Sequence, residues 1–351
     1  MKMLKKFKQL TLKSLKTAGV STLVRNSRWR QQRLLILAYH GISINDEHLW
    51  NSSQYMPADV LRTRFELLKK AKCAVLPLDE AVKRMYANDL PDRAVAITFD
   101  DGTSDFYRKA FPLIQEFGFP VTLYLTTFYT HYRRPVFDLM LAYLLWKGRH
   151  EVLDLHGLAG KESRIDLRDE ASQRKALGEI TTLARARKLS AEEKDALLIS
   201  LAAQLKVDYA ALNEQRITHN VTPDEVKALS AAGIDVQLHT HRHRTPLDRQ
   251  LFLREIEDNR TSIQEMTGKT AIHFCYPSGV YDLAFLPWLK ESGVVSATTC
   301  ETGFASPGSN PLLLPRVLDN MQLSSIEFES WLTGVSAALP RRPRKPKEIA
   351  A

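Results

Sequence analysis

The stretch Ala94-Val95-Ala96-Ile97-Thr98-Phe99-Asp100-Asp101-Gly102 decides the fold. Its first six residues are mostly apolar, which predicts a strand that is covered on both faces. The strand ends on two carboxylates and a glycine, and the glycine lets the backbone turn so that both acids face one cavity. Two neighbouring carboxylates rarely both ionise unless a cation lies between them. A solvated acidic turn at the end of a strand is the alternative interpretation.

Six further apolar runs are typical of strands, and helical patterns separate most of them. These runs lie at 34–39, 73–78, 121–126, 234–239, 271–276 and 294–300. Alternating strands and helices predict a parallel α/β sheet, and seven repeats favour a closed barrel. An open doubly wound sheet is the alternative, but no glycine-rich phosphate loop follows the first strand. Because chemistry in such folds sits at the carboxyl ends of the strands, the residues expected at one edge are His40, Asp100, Asp101, His239 and Pro277.

Residues 128–220 interrupt this alternation, since they contain helical patterns without a convincing strand. They predict a helical insertion on one barrel loop, long enough to cover the site, with surface elaboration as the alternative. The chain then divides into an N-terminal arm at 1–33, a barrel at 34–340 that contains the insertion, and a basic tail at 341–351. The composition of the tail predicts disorder.

The excess of positive over negative charge lies at the two ends of the chain. The formal net charge of +9 divides into +10 for residues 1–34, +4 for 341–351 and −5 for 35–340. The arm alternates apolar and basic residues at roughly helical spacing, which is typical of an amphipathic helix on an anionic membrane surface. A solvated tail is the alternative. The acidic body and the lack of interleaved aromatic and basic residues argue against a nucleic-acid partner.

Cysteine use and hydropathy bear on the cellular location. Cys73, Cys275 and Cys300 form no metal-type pair and lie in apolar runs, which favours a reducing compartment. No segment approaches the roughly 18 apolar residues that span a membrane. The basic start is similar to that of a signal peptide, but lysines interrupt the apolar core that should follow. The sequence therefore predicts a cytoplasmic protein, with membrane association through the arm left open.

A histidine cluster, Leu238-His239-Thr240-His241-Arg242-His243, follows one predicted strand. If the chain stayed extended, all three histidines would share one face. If it turned into a helical loop, His239 and His243 would share a face and His241 would leave it. In either case imidazoles two to four residues apart can converge on one cation, and a carboxylate from a neighbouring strand end would complete a three-ligand site. Incidental surface histidines are the alternative.

Together these motifs carry a resemblance to a known family. Thr98-Phe99-Asp100-Asp101-Gly102 and His239-Thr240-His241-Arg242-His243 resemble the first two motifs of the NodB-homology polysaccharide deacetylases, carbohydrate esterase family 4. Phe274-Cys275-Tyr276-Pro277-Ser278-Gly279 lies where the third motif belongs. Ala38-Tyr39-His40-Gly41-Ile42 is similar to the start of the exopolysaccharide-associated branch. The resemblance covers about residues 34–127 and 218–318.

The resemblance implies a distorted (β/α)7 barrel that removes N-acetyl or O-acetyl groups from the sugars of a cell-surface polysaccharide or its precursor. Its partner would be a carbohydrate with acetylated amino sugars. Its cofactor would be Zn²⁺ or another divalent transition metal, held by Asp101, His239 and His243. Asp100 would be the general base. The residues agree with this chemistry, because two histidines and one carboxylate leave positions open for water and substrate.

Two further roles are predicted at the edge of the barrel. A backbone N–H near Ser278 would donate to the oxyanion of the reaction. His40 would either orient Asp101 or protonate the leaving amine. The family's third motif usually has an arginine where Cys275 stands, and its late Leu-x-x-His is replaced by Leu313-Leu314-Pro315-Arg316. A catalytically silent, carbohydrate-binding relative is therefore the alternative function.

Arg316 is the candidate for the missing cation. The apolar residues at 312–315 would bury its stem near the end of the barrel. A buried guanidinium needs an acidic partner, and Asp100 is one candidate. Arg316 would then orient and ionise the base. The alternative is that Arg316 pairs with Asp319 or with another surface acid.

Overall fold

The computed structural model describes residues 2–156 and 164–338, with side chains from residue 5 onward. The predicted disordered tail at 341–351 lies outside these ranges. The strands are β1 Leu35–Tyr39, β2 Gly41–Ile42, β3 Tyr55–Met56, β4 Ala74–Val75, β5 Ala94–Phe99, β6 Val121–Leu125, β7 Val152–Asp154, β8 Arg164–Asp166, β9 Asp235–Leu238, β10 His273–Cys275, β11 Ser296–Thr302 and β12 Leu314–Leu318.

Seven parallel strands close into a barrel. They follow the order β1-β12-β11-β10-β9-β6-β5, and β5 then pairs with β1 from Leu35↔Val95 to Tyr39↔Phe99. Every residue of β1 and β5 is buried, as expected for apolar strands between an inner core and an outer layer of helices. The predicted (β/α)7 barrel is therefore confirmed.

One strand of the ring differs from the prediction. The apolar run at 73–78 forms only the two-residue strand β4, which pairs with Ala94 and Val95 of β5 and lies outside the ring. The seventh strand of the ring is β12, where no strand was predicted. Pro315 and Arg316 interrupt its apolar pattern, so β12 lacks the sequence signal of a buried strand.

Helices and helical turns connect the strands and cover the barrel. In the described ranges they lie at Lys2–Thr17, Val20–Arg25, Arg28–Gln31, Glu47–Trp50, Ala58–Lys70, Leu78–Tyr86, Phe106–Ala110 (a π-helical turn), Phe111–Phe117, Phe137–Lys147, Glu170–Ala186, Ala191–Gln204, Tyr209–Glu214, Pro223–Ala231, Arg249–Thr267, Pro277–Gly279 (a 3₁₀ turn), Phe285–Glu291, Ser325–Thr333 and Val335–Ala338. Among the described residues, no helix combines the length and the apolar character needed to cross a membrane.

The segment predicted as a helical insertion has a hydrophobic core of its own. Its three longest helices bury Leu141, Leu144, Ile180 and Leu201 among themselves. It also contains a short antiparallel pair, β7 with β8, where the sequence indicated no convincing strand. These strands have only three residues each, too few to produce a clear alternation of apolar and polar residues.

The N-terminal and C-terminal helices lie together on the barrel. Helix Lys2–Thr17 packs along helix Ser325–Thr333, and Leu12 is buried between them. The following short helices lead to the amino ends of the strands, where Arg30 donates to the carbonyl oxygen of Ala94 at 3.4 Å. The described part of the arm is therefore folded against the barrel. The domain limits at 33 and 340 stay predictions.

Candidate metal centre and catalytic site

The chain turns sharply where β5 ends. The N–H of Asp100 still donates to the carbonyl oxygen of Tyr39 on β1 at 2.9 Å, but Asp101 and Gly102 have φ angles of +73° and +77°. Two successive left-handed residues break the alternation of a strand, which leaves both carboxylates in the same cavity. A Cβ atom at position 102 would lie 2.3 Å from the side chain of Leu125, so the turn requires glycine.

Three side chains converge on one point above this turn. One carboxylate oxygen of Asp101, Oδ1, lies 3.1 Å from Nε2 of His239 and 3.2 Å from Nε2 of His243. The ligand atoms of the three residues all lie within 4.8 Å of one another. Two imidazole nitrogens and one carboxylate oxygen form the donor set that Zn²⁺ accepts in open sites. The residues predicted to hold a metal therefore fit one.

The loop after β9 adopts neither of the two backbone conformations that the sequence left open, but it groups the histidines as the helical one would. Thr240 and His243 have φ angles of +61° and +54°, so the loop is neither extended nor helical. It brings the ring centroids of His239 and His243 to 4.9 Å from each other. His241 turns away, and its Nδ1 lies 2.9 Å from the hydroxyl of Thr127.

A carbonyl group fixes the orientation of His239. Nδ1 of His239 lies 2.8 Å from the carbonyl oxygen of Cys275, which can only accept, so Nδ1 carries the proton. Nε2 then presents its lone pair to the metal site, which is the usual arrangement for an imidazole ligand. When both ring nitrogens of these histidines are protonated instead, hydrogen bonds from His239 and His243 hold the pKa of Asp101 well below its usual range, although burial alone would raise it.

A second group of potential ligands lies deeper in the barrel. Ligand atoms of Asp100, His239 and Cys275 are also within 4.8 Å of one another. However, Nη2 of Arg316 lies 3.1 Å from Sγ of Cys275, so a cationic group already occupies this space. Burial also raises the pKa of the Cys275 thiol well above its usual value, which keeps the sulfur protonated. The group formed by Asp101, His239 and His243 is therefore the better metal site.

Asp100 and Arg316 form a buried bidentate pair. Nη1 and Nη2 of Arg316 donate to Oδ1 and Oδ2 of Asp100, both at 2.7 Å. Burial would raise the pKa of Asp100, but the charge and hydrogen bonds of Arg316 lower it below its usual value. Of the two partners considered for Arg316, the structure has Asp100. Asp319 instead pairs with Arg64, at 3.0 Å from Nε.

Neighbouring strands hold the guanidinium of Arg316 in place. Nε donates to the carbonyl oxygen of Thr299 at 3.0 Å, and Nη1 also donates to the hydroxyl of Thr98 at 3.1 Å. Cys275, which stands where the resemblance would place an arginine, lies against the same guanidinium. A thiol is small enough to leave this space free. The cation beside Asp100 thus comes from β12 and not from the strand that carries Cys275.

The other two predicted residues lie at the same edge but make looser contacts. Nε2 of His40 is 3.7 Å from Oδ2 of Asp100, so the carboxylate beside His40 in this structure is Asp100. Ser278 is exposed on the 3₁₀ turn after β10, with φ at +57°. The roles of His40 and Ser278 stay predictions.

Two buried asparagines that the sequence analysis did not identify support the ligands. Asn259 accepts the N–H of His239 at 2.9 Å and donates to the carbonyl oxygen of Leu125 at 3.0 Å. Asn220, at the end of the insertion, donates to the carbonyl oxygen of Asp101 at 3.3 Å and to that of Thr126 at 3.2 Å. Both amides therefore hold the backbone of a metal ligand against β6 or the residue that follows it.

Glu255 supports the histidine loop in the same way. Its carboxylate accepts the N–H of Arg242 at 2.8 Å and Nε of Arg244 at 2.6 Å, and its carbonyl oxygen accepts the N–H of His241 at 3.0 Å. Glu255 and Asn259 share the buried face of helix Arg249–Thr267 with Phe252, Ile256 and Ile263. Polar residues inside an apolar stripe were the signal that could have identified them.

Comparison with known proteins agrees with this geometry. Residues 87–150 and 198–297 match the family model described as polysaccharide deacetylase. The part of the chain that carries Asp101, His239 and His243 is therefore similar to the polysaccharide deacetylase family. Members of this family are hydrolases that act on carbon–nitrogen bonds other than peptide bonds.

Individual relatives are more distant. Over 102 residues, 28% of this chain, the sequence is 26% identical to the poly-beta-1,6-N-acetyl-D-glucosamine N-deacetylase of Escherichia coli K12. That alignment spans only 15% of the relative's length. The Streptococcus pyogenes deacetylase PplD, solved in complex with acetate, has a TM-score of 0.56 at 18% identity, over 84% of this chain and 96% of its own. IcaB from Ammonifex degensii gives 0.54 at 16% identity, over 86% and 97%. At these identities the two structures show a shared fold.

Proposed function

We propose that this protein is a metal-dependent deacetylase that hydrolyses N-acetyl groups on the amino sugars of a cell-surface polysaccharide or its precursor. The observation that carries the proposal is the carboxylate of Asp100, which two hydrogen bonds from Arg316 hold beside the Asp101, His239 and His243 group. Binding of a carbohydrate alone needs no such base next to a metal site. The name of the Escherichia coli relative supports N-acetyl groups, and O-acetyl groups are the alternative substrate.

Each residue of the site has its own role in the proposed hydrolysis. Asp101, His239 and His243 would hold the ion, whose contribution when bound is Lewis acidity toward water and the acetyl carbonyl. Asp100 accepts the proton of the attacking water, because Arg316 keeps its carboxylate ionised. The backbone N–H of Ser278 is proposed to donate to the developing oxyanion. His40, with its ring at the same edge, is proposed to protonate the leaving amine.

The test is acetate release from N-acetylated and O-acetylated saccharides, before and after chelation. We expect release that chelation abolishes and added Zn²⁺ restores. Asp100→Asn should retain bound metal and lose turnover by roughly 10²- to 10⁴-fold, the usual contribution of a positioned base. Asp101→Asn should lose both metal and turnover. His241→Ala is the matched control and should keep its metal, because His241 faces Thr127.

Two results would contradict the proposal. Acetate release that persists after complete metal removal would exclude metal dependence, and full turnover in Asp100→Asn would exclude Asp100 as the base. Tight saccharide and metal binding without any acetate release would instead support the catalytically silent alternative.

A further inference from the structure

Helix Lys2–Thr17 has one face that contacts the barrel. Lys8, Leu12 and Lys16 are spaced four residues apart, so they lie on the same side of the helix. Leu12 is 2% exposed, Nζ of Lys8 lies 2.9 Å from Oε1 of Glu327, and Lys16 pairs with Glu329. The apolar side chain and both charges on this face are therefore satisfied by helix Ser325–Thr333.

The opposite face of the same helix is apolar and exposed. Leu10 lies about 200° around the helix axis from Leu12. Leu10 is 62% exposed, and Phe7, one turn away on the same side, is 71% exposed. Two large apolar side chains on one helical face, in contact with solvent, indicate a surface that is covered in another state of the protein.

The outer face also carries positive charge that the structure leaves free. Lys6 and Lys13 are exposed and border the apolar residues of this face. Within residues 5–156 and 164–338, no carboxylate lies in ion-pair distance of either lysine. The helix thus uses two lysines to bind its own barrel and directs two others, with Phe7 and Leu10, away from it.

We propose that this outer face, formed by Lys6, Phe7, Leu10 and Lys13, docks the folded protein on the surface of an anionic phospholipid bilayer. Charge complementarity selects this partner, because apolar side chains bordered by lysines match acyl chains below negatively charged headgroups. The bound helix lies in the plane of the membrane with the barrel attached to its inner face. The proposal is independent of the reaction that the barrel catalyses.

Sedimentation of the full chain with vesicles tests the proposal. We expect the protein to sediment with vesicles that contain phosphatidylglycerol and to remain in solution with pure phosphatidylcholine. Binding should weaken as the salt concentration rises, since salt screens the lysines. The double substitution Lys6→Gln/Lys13→Gln should weaken binding roughly 10- to 30-fold at low salt. Phe7→Ser/Leu10→Ser should weaken it by at least about tenfold, because the apolar contribution is lost.

The matched control removes the same charge elsewhere. Lys227 and Lys290 are exposed on helices of the barrel, so Lys227→Gln/Lys290→Gln should bind the vesicles as the unmodified protein does. All these residues are exposed, so each variant should fold, which its circular dichroism spectrum checks. Point substitutions are preferred to deletion of the arm, because deletion would also remove the buried Leu12 and Arg30.

Three outcomes would overturn the proposal. The first is equal binding to both kinds of vesicle, or to neither. The second is an equal loss of binding in the control variant, which would mean that net charge and not this face is responsible. The third is self-association of the protein without vesicles that Phe7→Ser/Leu10→Ser abolishes, which would make a second copy of the chain the partner.

Discussion

Arg316 determines both the geometry and the ionisation of Asp100. Its planar guanidinium reaches both carboxylate oxygens at once, which a lysine ammonium cannot do. Asp100 is buried, so its pKa would rise if this cation were removed. A group whose pKa is lowered in the folded protein is ionised above that pKa and is protonated when the pH falls through it. The loss of Arg316 should therefore move this transition to higher pH.

We expect Arg316→Lys to keep its metal and to lose most of its turnover. The acidic limb of its pH–rate profile should lie at higher pH than that of the unmodified protein, because Asp100 is protonated over a wider range. Metal content, kcat and the pH profile are the measurements. Arg64→Lys is the comparison, because Arg64 pairs with Asp319 and not with Asp100. An unchanged pH profile in Arg316→Lys would show that another group controls the ionisation of the base.

Some contacts of single residues were predictable from the sequence and others were not. Asp101, His239 and His243 follow strand ends, and parallel strands bring such ends together. The partner of Arg316 stayed open, because the sequence offers both Asp100 and Asp319. Only the position of Arg64 in the folded chain assigns Asp319 elsewhere.

At the scale of elements, side chains of helix Arg249–Thr267 hold the backbone of the histidine loop in place. Glu255 and Asn259 replace apolar residues in its buried stripe and bind the loop backbone. A buried carboxylate is tolerated there because Arg242 and Arg244 supply opposite charge. The helix therefore positions His239 and the loop that carries His243 without supplying a ligand atom of its own.

Substitution of Glu255 tests this positioning role. We expect Glu255→Ala to lower the metal affinity by roughly 10- to 100-fold, the usual effect of removing a group that orients a ligand. Glu257→Ala, on the exposed side of the same helix, should bind metal normally. Titration with Zn²⁺ in competition with a chelator measures both affinities. Equal affinity in the Glu255 and Glu257 variants would exclude the positioning role.

Elements with strong periodicity were predicted correctly, and short or interrupted ones were not. The strand β5 combines six buried apolar or small residues with a clear end at Asp100. Strand β12 contains Pro315 and a buried arginine, and β4 has only two residues. The pairing that places β12 inside the ring and β4 outside it depends on tertiary contacts that local sequence does not encode.

At the scale of the whole molecule, Arg30 joins the N-terminal helices to the barrel. Its guanidinium is fully buried and donates to the carbonyl oxygens of Arg33 at 2.8 Å, Leu332 at 3.1 Å and Ala94 at 3.4 Å. The sequence suggested either an amphipathic helix on a membrane surface or a solvated tail for this region. A third arrangement, a helix folded on the barrel, requires knowledge of the surface that receives it.

We expect Arg30→Ala to reduce the free energy of unfolding by about 3 kcal/mol or more, because buried carbonyl groups lose their donors. Arg28→Ala changes an exposed arginine two residues away in the same short helix, and it should stay within about 0.5 kcal/mol of the unmodified protein. Urea unfolding of the two variants measures the difference. Similar midpoints for both would show that the contacts of Arg30 add little to stability.

The pairing of Asp100 with Arg316 also sets an order of events during synthesis. The two residues are 216 positions apart, and the ribosome adds about 5–20 residues per second, so the carboxylate is made roughly 10–40 s before its partner. During that time the nascent strands cannot enclose Asp100 in a dry interior, because an unpaired buried charge is strongly unfavourable. We therefore expect the barrel of the emerging chain to stay open around Asp100 until β12 leaves the ribosome.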